Sequence, residues 1–154
     1  MSKYRFMWTV VLLVGVGFLF SGCASQQGEL EAKTKSQTVS HESDKLAVLW
    51  SSGDSAVAHK VCFMYTHNAK KAGWWGEVQL IVWGPSSKLL AEDKELQAAV
   101  KAMISDGVQV KACKACADSY GVSDVLAALG IDVKYMGQPL TRMLKSDQWQ
   151  VLTF

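Results

Sequence analysis

Hydrophobic positions fall into two regimes along this 154-residue chain. Near the start lies one block, Thr9-Val10-Val11-Leu12-Leu13-Val14-Gly15-Val16-Gly17-Phe18-Leu19-Phe20, without a charged residue. After a polar interval, from Lys45 onward, short β-rich runs alternate with stretches of helical spacing. Leu46-Ala47-Val48-Leu49-Trp50 is apolar throughout, as a strand covered on both faces must be. Ser51-Ser52-Gly53 turns the chain, and Asp54 is a good N-cap. Val57, Val61, Met64 and Asn68 then trace one helical side up to a stop at Gly73. Residues 77–83 form a second strand that closes at Gly84-Pro85. Ser86 or Ser87 is expected to cap a single helix reaching Ser105, on which Leu96, Val100, Met103 and Ile104 hold the i, i+4, i+7, i+8 spacing.

Residues 108–112 read as a third strand running directly into Cys113-Lys114-Ala115-Cys116 and a helical segment broken near Gly121. Ser123 is expected to recap a helix to Leu129. Residues 131–135 are a fourth strand, 139–145 a short helix and 149–154 a last strand. Five strands alternating with helices predict an α/β fold: a three-layer α/β/α sandwich around a mostly parallel five-stranded sheet with right-handed crossovers. In open sheets of this kind ligands collect beyond the carboxyl ends of the strands. That rule nominates a ligand-binding rim of Ser51, Asp54, Gly84, Ser86 and Lys114 around Cys113 and Cys116, with Gly137 beside them.

The N-terminal block is 12 residues long and follows Lys3 and Arg5. A bilayer span needs about 20 apolar residues and an export signal roughly 7 to 15, so residues 1–22 read as a signal peptide. The sequence Phe20-Ser21-Gly22-Cys23 resembles the lipobox of bacterial lipoproteins, which implies that Cys23 is lipidated and becomes the new N-terminus. Between Cys23 and residue 44 the large aliphatic residues are Leu30 and Val39 alone, too few to fold. Such a tether holds a domain at 45–154 roughly 25 Å from the lipid. The expected location is the cell envelope, anchored to a membrane and facing the periplasm or exterior. Without residues 1–22 the chain carries 14 basic against 14 acidic residues and no basic block. That argues against nucleic acid as a partner.

Cys113 stands where a strand hands over to a helix, and Lys111 and Lys114 flank it. Unpaired N–H groups and the positive end of the helix dipole favour an anion there, which is the form in which sulfur attacks or binds metal. Cys116, three residues on, is placed to resolve an adduct on Cys113 or to form a disulfide with it. A structural disulfide and plain apolar filling remain open. For zinc, His59 and His67 lie eight helical residues apart, about 12 Å, too far for both to join the pair at one ion. Cys62, in mid-helix, reads as packing. Trp50, Trp74, Trp75 and Trp83 read as core or rim packing, and any that face the rim would wall the thiols off from water. The sequence calls for no cofactor.

Several segments carry a resemblance: the Gly53-Asp54 helix start, Tyr65-Thr66-His67-Asn68-Ala69-Lys70-Lys71-Ala72-Gly73-Trp74-Trp75, Val82-Trp83-Gly84-Pro85-Ser86, the run from Cys113 to Val122, and Leu129-Gly130-Ile131-Asp132-Val133. Through them the chain is similar to the DsrE-like family of small sulfur-handling α/β proteins over nearly all of residues 45–154. In its relay members a reactive cysteine lies eight residues before a Gly-Val pair, as Cys113 does before Gly121-Val122. The resemblance implies a persulfide carrier at Cys113, with a sulfur donor or acceptor protein as partner and homo-oligomers as an expectation. Two other functions compete with it. One is a non-catalytic module that binds a ligand or partner, with Cys113 and Cys116 as a structural disulfide. The other is a soft-metal site for copper or zinc.

Overall fold

The computed structural model describes residues 44–154. The signal segment, Cys23 and the tether up to residue 43 lie outside the described residues. Among the described residues no helix is long and apolar enough to cross a membrane.

Five strands, β1 (Lys45–Trp50), β2 (Glu77–Val82), β3 (Gln109–Cys113), β4 (Asp132–Lys134) and β5 (Trp149–Thr153), form one sheet. The order is β4-β3-β2-β1-β5 and every pairing is parallel. The steps from β1 to β4 all move in one direction across the sheet, so right-handed crossovers put their helices on one face. The return from β4 to β5 moves the other way, and its helix falls on the opposite face. Burial follows this split. Leu46, Val48, Trp50, Val78, Leu80, Val82, Val110 and Ala112 enter the main core. Ala47, Ile81 and Cys113 alternate onto the other face, where Met136 and Met143 cover them. The expected three layers are present but unequal.

On the main face, α1 (Ser55–Val57), a π-helical stretch (Ala58–Phe63) and α2 (Met64–Lys71) run in succession after β1. The Asp54 carboxylate caps their start, accepting from the N–H groups of Ala56 and Val57. The single helix expected up to Ser105 is two, α3 (Pro85–Glu92) and α4 (Lys94–Ser105). Asp93 breaks it: its backbone is extended, and its side chain accepts from Glu95 N and Leu96 N to start α4 afresh. Neither Ser86 nor Ser87 caps α3. Gly84 holds the cap position with Pro85 next, and both serines are buried in the first turn.

After β3 come α5 (Lys114–Ser119) and α6 (Ser123–Ala128). Ser123 is not the cap expected of it; Val122 is, and the Ser123 hydroxyl donates to Asp118 at 2.6 Å. On the thin face α7 (Gly137–Leu144) begins two residues before Pro139 and leads into β5.

Candidate functional site

Cys113 is at once the last residue of β3 and the N-cap of α5, with φ −71° and ψ 111°. Side chains two apart on a strand share a face, so Cys113 lies on the α7 side with Lys111. It is 4% exposed and packs with Met136 and Met143. Cys116, in the first turn of α5, is half-buried against the same cluster, as is Trp83. Both cysteines are free thiols. Each lies near enough to bear on the other's ionisation, and three influences act on the Cys116 thiol. Burial pushes its pKa up, the Gly84 backbone N–H pulls it back, and Cys113 adds to the rise. Gly84 has φ +64°, a backbone state that L side chains rarely adopt. A glycine at that turn starts α3 and brings a backbone N–H near enough to the Cys116 sulfur to favour its anion.

Other rim residues hold the scaffold. The Ser51 hydroxyl donates to Phe154 O at 3.1 Å. Ser86 is fully buried; its hydroxyl donates to Trp50 O at 2.6 Å and accepts from Trp83 N at 3.0 Å. It therefore ties together the carboxyl ends of β1 and β2. Lys114 is exposed and paired with Asp118 at 2.8 Å, while Asp54 is occupied as a cap. Of the nominated residues the structure brings together Gly84, Cys113 and Cys116.

Of the four tryptophans nominated, Trp83 packs in the cluster that holds both thiols. Trp50 is fully buried, edge-on to Phe63 with ring centroids 4.8 Å apart, Trp75 packs on the main core, and Trp74 is exposed. Cys62 is packing, as expected, and burial pushes its thiol up to about 12. His59 stands 4.0 Å from Glu95 and His67 2.6 Å from Asp106, both on the main-face helices. Among the described residues no three of His, Cys, Asp and Glu lie where they could hold a metal ion. Residue patterns did not single out Met136, Met143 and Trp149, which wall the thin face. The available signal was the two-residue period Asp132-Lys134-Met136, continuing the face of β4 past its end.

The model of the DsrE/DsrF-like family matches residues 44–154. Among solved structures, a conserved protein of unknown function from Bacteroides thetaiotaomicron is 37% identical with a TM-score of 0.69, covering 72% of this chain and 95% of that one. The ychN protein from E. coli, 18% identical with a TM-score of 0.53, covers 71% and 97% respectively and is alike in fold. No curated protein matches the chain.

Proposed function

The chain belongs to the DsrE/DsrF-like family, and on that premise we propose that its domain is a thiol sulfur carrier in which Cys113 accepts sulfane sulfur and Cys116 resolves the adduct. The observation that carries the reading is the pair of free thiols, Cys113 and Cys116, packed in one cluster at the junction of β3 and α5. The Cys113 thiolate attacks the outer sulfur of a persulfide donor, the donor thiolate leaves, and Cys113 holds the transferred sulfur as a persulfide. Cys116 then attacks the inner sulfur, giving a Cys113–Cys116 disulfide and hydrogen sulfide, unless an acceptor thiol takes the sulfur first. A dithiol reductant returns the disulfide to the starting state.

The donor or acceptor is a partner protein in this reading. The lipobox-like Cys23 supplies the membrane link and places the domain on the outer side of that membrane. Reduced protein treated with polysulfide is expected to gain about 32 Da on Cys113, the mass of one persulfide sulfur. Absence of that adduct, under conditions that label a known carrier, overturns the reading.

The burial of Cys113, 4% exposed, favours a second reading, a binding module stiffened by a Cys113–Cys116 disulfide. The reduction potential separates the two. A structural bridge lies below about −300 mV and a labile one well above it.

A further inference from the structure

The sheet face that carries Cys113 also holds a cleft of about 310 Å3 between β3, β4 and α7. We propose that this cleft binds a small dianionic oxyanion of the phosphate or sulfate class, held by Lys111, Lys134 and Arg142. Lys111 lies in register with Asp132, and Lys134 stands two residues on, where the strand returns to the same face. Arg142 reaches the cleft from the last turn of α7. Ser146 contributes a hydroxyl donor and Trp149 a flat wall.

The charges in the cleft do not cancel. Asp132 pairs with Lys134 at 2.5 Å, and Glu77, the next acidic group, is taken by Lys45 at 3.2 Å. Among the described residues no carboxylate lies within ion-pairing distance of Lys111 or Arg142. Three cations against one carboxylate leave a surplus of two positive charges. Lys111 registers the crowding: burial first, then the charge of Lys134, holds its ammonium below the ordinary lysine range. A ligand with two negative charges cancels the surplus. A guanidinium fork with two ammonium groups suits a compact oxyanion, whose oxygens accept from all three. The volume is at the low end for ligand pockets, which sets the size at a small molecule.

This site is independent of whether Cys113 carries sulfur, and Cys113→Ser is expected to bind the anion as tightly as the parent protein. The test is calorimetric titration of the full chain with sulfate, phosphate, malonate and chloride at fixed ionic strength. Saturable binding of sulfate or phosphate is expected, weakened tenfold or more by Arg142→Gln and by Lys111→Met and unchanged by Lys101→Gln on the main-face helix α4. Asp132→Asn removes the competing carboxylate and is expected to tighten binding severalfold. That gain cannot come from a misfolded variant, so it decides the matter even where a charge-removing variant is unstable. The proposal is overturned by absence of saturable binding, by equal binding of chloride, by tighter binding of malonate than of either tetrahedral anion, or by unchanged affinity in both charge-removing variants.

Discussion

Burial at Cys62 gives the protein an alkaline weakness that can be measured. The unfolded chain ionises this thiol near pH 9, while the fold holds it protonated up to about 12. The stability tied to this group is therefore complete below about pH 9 and is lost as the pH rises toward 12, at about 1.4 kcal/mol per pH unit. Urea denaturation across that range is expected to show the loss, and Cys62→Ala is expected to flatten it while costing about 1 kcal/mol at neutral pH. Equal slopes in the two proteins would refute this account. Cys116 offers a second test, because burial and Cys113 both raise it. In Cys113→Ala its midpoint for alkylation, followed by peptide mass spectrometry, is expected to fall yet stay above the ordinary thiol value, since burial is the larger cause. An unmoved midpoint means the two sulfurs do not interact. The position of Cys113 was legible because a strand-to-helix handover is a local pattern. The role of Ser86 was not, since a serine beyond a strand end looks the same whether it faces a ligand or, as here, the Trp50 carbonyl.

The break between α3 and α4 escaped a periodicity argument because Asp93 sits on a polar position that a continuous helix would also allow. What ends α3 is the capping chemistry of Asp93, two N–H groups held by one carboxylate oxygen at 2.9 and 3.1 Å. Asp93→Ala is expected to lower stability by about 1 kcal/mol, the usual worth of an N-cap, measured by thermal or urea unfolding. Asp93→Asn, which keeps an accepting oxygen, should retain most of it. No loss in the alanine variant would mean that tertiary packing alone sets the break. The cap at Asp54 was readable because it follows a turn; the one at Asp93 lies between two helical runs with no turn residues to announce it. The strands were the most legible elements. Their two-residue alternation separates Leu46, Val48 and Trp50 from Ala47 and Leu49, the division between the two cores.

The unequal layers follow from one topological fact, the return from β4 to β5 across the sheet. No local pattern reports strand order, so the class was readable from the alternation of elements and the thin face was not. The proposed anchor belongs to this level too, since it would fix where the domain works. In the proposed lipoprotein, Cys23→Ser removes the sulfur that takes the lipid, and the variant is expected to lose its fatty-acid mass and its partitioning into detergent. Retention of both would end the lipoprotein reading.

The strand order also constrains how the sheet is completed as the chain folds. β1 lies between β2 and β5, and the contact that closes its outer side, Ser51 to Phe154, spans 103 positions of sequence. Until β5 is in place β1 can have a partner on one side only, with open backbone N–H and C=O groups on the other. An open strand edge recruits other strands, so a nascent or truncated chain lacking β5 carries an aggregation hazard that the finished fold removes. Premature termination before Trp149 thus does more than shorten the protein, for it leaves the sheet unsealed along β1, the strand with both faces buried.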